Sequence, residues 1–309
     1  MGGRKVAIVG AGQVGMACAL VLAVRRRADE LVLIDIDHLR VEGEAWDLQH
    51  GLPFVEPLQI SYGDMAAAVG AQVVVVTAGA RRGPDESRLV LLRKNAAIVH
   101  HIVQELTPLC REAVWVMVTN PVDVMAYLAW RWSGLPPERV MGTGTLLDMA
   151  RWQTLLAQKL GVAPQSIQAP VLGEHGEHAV PLWSRVTVGG WPVDLEPSKR
   201  ESLWRQVLQA GQEVIRRKGN TSYGIALAVD HLVAAILGDQ ARVLPVSCWA
   251  QGYYGLGDVY LSLLAVISRQ GVSRVLPVPL QPEEYEGLQR AAQVLMHARQ
   301  ELESLTESC

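Results

Sequence analysis

One phenylalanine stands against nine tryptophans in the 309 residues of this chain, so its aromatic packing must rest on indole and tyrosine rings. Basic tracts are missing as well. Lys and Arg number 28 against 31 Asp and Glu, a net charge of −3, which leaves no electrostatic footprint for nucleic acid. No apolar run reaches the roughly 18 residues that a membrane span needs. The four cysteines, Cys18, Cys110, Cys248 and Cys309, lie far apart and form no CxxC pair. Reduced thiols and a cytoplasmic location are therefore expected, not a disulfide framework. The first strand pattern begins at Lys5, which leaves no room for a signal peptide. Solenoid-type repeats are absent too.

What is present is a chain that is half apolar and long enough for two units. Val6-Ala7-Ile8-Val9 reads as a short buried strand and runs into Gly10-Ala11-Gly12-Gln13-Val14-Gly15, then into a helical stretch from Met16 to Val24. This is GxGxxG in strand–turn–helix context: Gly10 for the tight turn, Gly12 for close approach of a pyrophosphate, Gly15 for packing helix on strand. A second strand, Leu31–Ile34, ends in Asp35, about 20 residues past Gly15. A carboxylate there binds a ribose 2′-hydroxyl and repels a 2′-phosphate, so NAD is expected and not NADP. Further strands are predicted at Gln72–Thr77 and Val114–Val118, with helical patterns between them. Strand alternating with helix predicts a doubly wound parallel sheet of Rossmann type. Pro121 should stop the strand before it, leaving Asn120 over the crevice, and Asp123 can cap the next helix.

Directly after the unbroken Val73–Val76 run come Arg81, Arg82 and Arg88. Ligands of open α/β sheets bind beyond the carboxyl ends of such strands, and guanidinium groups grip carboxylates through paired hydrogen bonds. A small acidic substrate follows. In the second half, Asp148 and Arg151 share one face near the start of a helix reaching about Lys159; spacing alone equally suits a surface ion pair. Glu174-His175-Gly176-Glu177-His178 holds two His and two Glu, yet no HExxH is present and Gly176 argues against a helix aligning the two rings, so no metal is expected. His175, flanked by flexible chain, suits acid–base work near neutral pH. His178 and the pair His100-His101 read as loop and helix surface. The tail from about Pro282 to Glu303 reads as an amphipathic helix with Tyr285, Leu288, Ala292, Leu295 and Met296 near one face, packed on the second unit.

These motifs together resemble the L-lactate/L-malate dehydrogenase superfamily over essentially the whole chain. The matching stretches are Gly10–Gly15, Asp35, Asp47-Leu48-Gln49-His50-Gly51, Thr77-Ala78-Gly79, Glu86-Ser87-Arg88, Thr119-Asn120-Pro121-Val122-Asp123, Leu147-Asp148-Met149-Ala150-Arg151, Gly173-Glu174-His175-Gly176 and Lys218–Ile225. The resemblance implies a Rossmann NAD-binding domain over 1–142, including a mobile loop at about 79–91, followed by an α+β catalytic and substrate domain over 143–309. It implies that His175 exchanges a proton with the substrate oxygen and that Asp148 stabilises the protonated ring. Arg151 binds the substrate carboxylate and Arg88 polarises the carbonyl. Asn120 contacts the reacting oxygen or the cofactor, and Thr221 lines the pocket. Gln13, Val14, Thr77, Ala78 and Gly79 contribute to cofactor binding, and Ile225 packs on the nicotinamide.

Substrate choice within that resemblance turns on Arg82. The matching residue is usually Gln in lactate enzymes and Arg in malate enzymes, where it pairs with a second carboxylate. On this position oxaloacetate/L-malate is expected. Glu86, Glu174 and Thr221 follow the lactate pattern, which keeps pyruvate/L-lactate as the alternative, with Arg82 turned to solvent or paired with Asp85 or Glu86. A non-catalytic NAD-binding structural or sensing protein is the reading outside enzymes; His175, Asp148, Arg151 and Arg88 together argue against it. The resemblance also implies a homo-oligomer, tetramer before dimer. The basic site that binds fructose 1,6-bisphosphate in activated bacterial lactate enzymes corresponds to Gln153 and Gln168, so no activation by that sugar phosphate is expected.

Overall fold

Strand β1 (Lys5–Val9) runs parallel to both β2 (Glu30–Ile34) and β4 (Val73–Val76), with Ala7 opposite Val32 on one side and Val74 on the other. The computed structural model describes residues 3–80 and 87–306. Adding β3 (Gln59–Gly63), β5 (Val114–Met117) and β6 (Val140–Gly142) gives the parallel order β3-β2-β1-β4-β5-β6. The order reverses between β1 and β4, which opens a crevice at their carboxyl ends. Helices α1 (Gln13–Val24), α2 (His38–His50), α3 (Arg88–Leu106) and α4 (Val122–Ser133) connect these strands. Burial on both faces explains the unalternating strands: Val73 to Val76 have no exposed surface.

The second half continues the same sheet. β12 (Arg242–Trp249) bonds to β6 through Ser247 opposite Gly142, then β13 (Tyr260–Ser268), β8 (Val171–Gly173) and β9 (Ala179–Pro181) follow, all antiparallel. β14 (Gly271–Val275) pairs with β13 off this path, and β7 (Ile167–Gln168), β10 (Thr187–Val188) and β11 (Trp191–Pro192) form a small separate sheet. Helix α5 (Leu146–Leu160) starts where Thr145 donates its hydroxyl to the Val171 carbonyl at 2.6 Å and its N–H to the Ser262 hydroxyl oxygen at 2.9 Å. Those two bonds fix the first turn of α5 against β8 and β13.

The long α6 (Pro197–Lys218) and α7 (Tyr223–Leu237) complete this half, with α8 (Pro282–Thr306) at the end. On α8 the buried face is Leu288, Ala291, Ala292 and Leu295. Tyr285, expected on that face, is 41% exposed; in that first turn the buried residue is Glu284, whose carboxylate accepts the Ser184 N–H and hydroxyl. α8 lies on β8, β9 and β13 and also touches α3 and α4, so it ties the halves together.

Tryptophan does the work that phenylalanine does not. Trp152 is fully buried, with edge contacts to Trp183 at 4.8 Å and Trp204 at 5.4 Å between ring centres, at the heart of a second core beside the main one.

Candidate active site

The first-half crevice is shaped mainly by backbone. Gly10 has φ +102°, and a methyl group there would stand 2.5 Å from the Ala78 nitrogen. At Gly15 a methyl would collide with the Gly10 carbonyl oxygen, so helix and strand touch only because no side chain intervenes. Gly12 differs: nothing lies within 4 Å of where its side chain would be. Gly12 also precedes α1 without any side-chain cap, so the free N–H groups of the first turn, beside exposed Gln13 and half-buried Val14, face open space. Asp35 is aimed by two backbone donors, Ala11 N–H at 2.6 Å and Asp37 N–H at 3.0 Å. Thr77 hydroxyl bonds the Gly10 carbonyl at 2.7 Å and locks the turn to the end of β4.

The resulting cleft, about 830 Å³, is lined by Gly10, Gly12, Asp35, Thr77, Ala78 and Gly79, and also by Ala97, Ile98 and His101 of α3. His101 is exposed as expected, but it faces this cleft. Asn95 was not anticipated at all. Buried on α3, it accepts the Ala80 N–H and donates to the Asn120 carbonyl, both at 2.7 Å, and so ties together the chain leaving β4 and the chain leaving β5. The signal was available: Leu92, Asn95, Ala96, Val99 and Ile102 share the buried register of a helix, and a polar residue there must have partners.

In the second half His175 occupies the tip of the β8–β9 hairpin, between the last pair Gly173–Ala179. Its Nδ1 lies 2.6 Å from Asp148 Oδ2, and the other oxygen of Asp148 takes Arg151 Nη1 at 2.9 Å. Asp148 and Arg151 thus form the helix ion pair that spacing allowed, but largely out of water and extended to a histidine. The ring keeps a quarter of its surface exposed, and with Nδ1 engaged Nε2 is the nitrogen left for a proton partner. Burial disfavours the imidazolium, yet the charge and hydrogen bond of Asp148, with the charge of Asp123, more than offset it and the pKa is raised; Arg151 opposes. Burial likewise works to raise Asp148, but His175 and Arg151 hold it below its ordinary value. The pair therefore favours imidazolium and carboxylate.

Asp123 does not cap α4. It is buried in the first turn, and its Oδ2 accepts the backbone N–H of His175 at 2.8 Å. Pro121 holds the cap position instead. Arg88 reaches the same hairpin by a different route: as first residue of α3, capped by Ser87, it pairs with Glu177 at 2.7 Å, both side chains well exposed. Asn120 is exposed at the end of β5, while Thr221 and Ile225 are half-buried beside the start of α7. His178 is exposed, its N–H bonded to Glu174. Among the described residues no cluster of His, Cys, Asp and Glu is arranged to hold a metal, and no helix is long and apolar enough to cross a membrane. Arg81, Arg82, Asp85 and Glu86, and with them most of the loop expected at about 79–91, lie outside the described residues.

Comparison with known proteins agrees with both halves. Residues 4–142 match the family model for the lactate/malate dehydrogenase NAD binding domain, and residues 145–306 match its alpha/beta C-terminal domain. The chain is 46% identical to an L-lactate dehydrogenase of Synechococcus sp. (strain JA-3-3Ab), covering 97% of this chain and 99% of that one. It is 38% identical to the human L-lactate dehydrogenase A-like 6A, over 97% and 93% of the two chains. Among solved structures, a lactate dehydrogenase from a Medee basin deep-sea metagenome library superimposes with a TM-score of 0.95 at 36% identity, covering 98% of this chain and 100% of that one. The minor L-lactate dehydrogenase of Enterococcus mundtii gives 0.94 at 37%, over 97% and 98%. With each half matched in turn and whole-length relatives of one kind, the chain belongs to the lactate/malate dehydrogenase family of NAD-dependent 2-hydroxyacid dehydrogenases.

Proposed function

We propose that the chain interconverts pyruvate and L-lactate. The observation that carries the reaction type is the His175–Asp148–Arg151 constellation at 2.6 and 2.9 Å. The choice of pyruvate rests on the whole-length likeness to proteins named L-lactate dehydrogenase. NAD(H), when bound, supplies or accepts a hydride.

The first-half crevice fits that cofactor: the space at Gly12 and the uncapped start of α1 suit its pyrophosphate, and Asp35, held by Ala11 and Asp37, suits a ribose hydroxyl. Ile225 would pack against the nicotinamide, and Asn120 would hold the reacting oxygen or the cofactor. Arg151 anchors the substrate carboxylate while one of its nitrogens stays on Asp148. His175 gives the Nε2 proton to the carbonyl oxygen during reduction and takes it back during oxidation. Asp148 fixes the ring orientation and favours the charged form, so positive charge stands beside the oxygen as negative charge builds there. Arg88 adds to this once it leaves Glu177, and Thr221 lines the pocket wall.

Arg82 supports a second reading, oxaloacetate/L-malate, because an arginine there could pair with a second carboxylate. Asp85 and Glu86 in the same segment offer it partners without any substrate. Oxidation of NADH with pyruvate and oxaloacetate side by side decides: higher kcat/KM on pyruvate is expected, and the reverse overturns the lactate assignment. Arg82→Gln then tests the residue itself. A shift of the pyruvate-to-oxaloacetate ratio toward pyruvate by about tenfold or more would follow from lost pairing with a carboxylate; no shift would mean that Arg82 does not touch substrate.

The same reading takes the protein as a cytoplasmic tetramer; self-association, though not its order or its place in the cell, is supported by large apolar side chains left exposed on α1, α6 and α7, among them Leu20, Val24, Ile215, Tyr223 and Leu227. The division at residue 142 into cofactor and substrate units belongs to the same reading. Gln153 donates to the Ile167 carbonyl at 2.8 Å and Gln168 is exposed. Neither carries charge for a sugar bisphosphate, so substrate half-saturation should not fall when fructose 1,6-bisphosphate is added.

A further inference from the structure

His175 touches a second carboxylate that the mechanism above does not use. Asp123 belongs to the first turn of α4, 52 residues back along the chain, and only 2% of it is exposed. Its Oδ2 receives the His175 N–H at 2.8 Å. The histidine is thus held at two points by two helix starts: its ring by Asp148 on α5, its backbone by Asp123 on α4. The other oxygen, Oδ1, is buried and has no hydrogen-bond partner among the described residues, and the buried Ser247 hydroxyl on β12 is in the same condition.

A side chain needed only to receive one N–H would serve as well as asparagine, whose amide oxygen accepts equally and carries no charge to desolvate. Keeping a carboxylic acid in that place, with one oxygen unpartnered, calls for a use of the charge. We propose that Asp123 is a positioning residue that acts through His175: it pins the hairpin, and its negative charge stabilises the imidazolium alongside Asp148. The assignment rests on the reading of His175 as the proton-exchanging group.

The charges around the pair are few. From α5, Asp148 favours the imidazolium and Arg151 opposes it; from the hairpin, Glu174 adds negative charge near Asp123. On β12, Cys248 also faces Asp123, but burial pushes its thiol up to about 12, so it stays neutral. Tyr127, Asp258 and Arg299 line a gap of about 10 Å³ that Asp123 borders. Burial lifts Asp123 itself to about 6, against the pull of the His175 N–H and the histidine charge; the Ser247 hydroxyl is near enough to pull the same way without completing a hydrogen bond to it. Above that pH the group is ionised and its effect is present; below it the effect fades, where His175 is protonated in any case.

The sign of the expected result follows. Pyruvate reduction needs the imidazolium, so loss of the Asp123 charge costs activity on the alkaline side alone. Asp123→Asn keeps the acceptor. It should retain NADH affinity and kcat at pH 6 to within about threefold, and lose about tenfold in kcat/KM near pH 8, the effect of moving one alkaline limb by about a unit. Asp123→Ala, which also unpins the hairpin, should lose activity at every pH. A profile for Asp123→Asn that is merely scaled down, or unchanged, overturns the proposal.

A test without any change at Asp123 uses reciprocity of coupling. In full-length enzyme with 13C-labelled aspartate carboxyls, the signal titrating near pH 6 should move to higher pH when His175 becomes Gln. An unmoved midpoint overturns the proposal even if Asp123→Asn does not fold. That titration involves no turnover. Were His175 dispensable for catalysis while the carboxyl still shifted, the functional reading would fail and the coupling would stand.

Discussion

The cofactor crevice and the proton-transfer site are built from different materials. The crevice is mostly backbone: a left-handed glycine, a glycine where helix meets strand, an uncapped helix start, and one carboxylate aimed by two amides. The proposed proton-transfer site is mostly side chain: two carboxylates, an arginine and a histidine brought from α4, α5 and a hairpin tip, with one backbone N–H, that of His175, among their contacts. Backbone sites depend on space and are nearly indifferent to pH. Coupled buried charges depend on each other, so changing one alters the protonation of the rest. Damage in the first region should therefore read out as cofactor affinity and stability, and damage in the second as rate and pH profile.

The largest break is expected at His175. His175→Asn keeps a polar side chain on the hairpin but removes the group proposed to exchange the proton, so kcat for pyruvate reduction should fall by about 10³-fold. Calorimetry should find NADH affinity within about threefold of wild type, because the crevice makes no use of the hairpin tip. Turnover left intact would refute the catalytic assignment. Affinity lost together with rate would show that the two regions are not separable in the way their construction implies.

The same contrast explains what could be foreseen from the sequence. The crevice is local: Gly10 to Gly15 and Asp35 carry it within a short span, and β1, α1 and β2 fall within a few residues of where periodicity puts them. Asp148 and Arg151 were visible as a same-face pair, because helical spacing is local too. That the pair holds His175 depends on Thr145 seating α5 against β8, a long-range fact that no spacing states; only family resemblance supplied it. Asp123 was misread for the same reason. An acid after Asn-Pro-Val looks like a cap, and nothing nearby in the chain reveals the hairpin amide that takes it instead. Asn95 could have been found from its place in a buried register, but its partners at Ala80 and Asn120 could not. Three of the nine tryptophans gain a role once Trp152, Trp183 and Trp204 stand together in the second core, an association no spacing announces.

A smaller, sharper test lies within the crevice. Gly12 and Gly15 belong to one motif, yet the structure gives them opposite jobs. Gly15→Ala puts a methyl against the Gly10 carbonyl and should cost stability, roughly 1–3 kcal/mol as an overpacked contact, visible as a lowered Tm of the free protein. Gly12→Ala meets no atom within 4 Å and should leave Tm nearly unchanged, while the added methyl enters the space assigned to pyrophosphate and weakens NADH by about tenfold. If Gly12→Ala binds NADH normally, the phosphates lie elsewhere and the crevice has been read wrongly.

The smallest effect concerns a residue that connects the regions. Arg88 starts α3, a helix lining the cofactor cleft, and its guanidinium rests on Glu177 of the hairpin. In its proposed role at the substrate carbonyl it must let go of that carboxylate, so Glu177 would compete with substrate. The pair is short at 2.7 Å but about three-quarters exposed on the arginine side, and exposed pairs contribute little. Glu177→Gln should therefore lower KM for pyruvate by no more than about fivefold at low salt. Salt screens such a pair, so the difference from wild type should close as ionic strength rises toward 1 M. A higher KM in Glu177→Gln would reverse the assignment: Glu177 would then be steering Arg88 toward the hairpin where it is needed, and the contact would be an intermediate position on the way to the substrate and not a competitor for it.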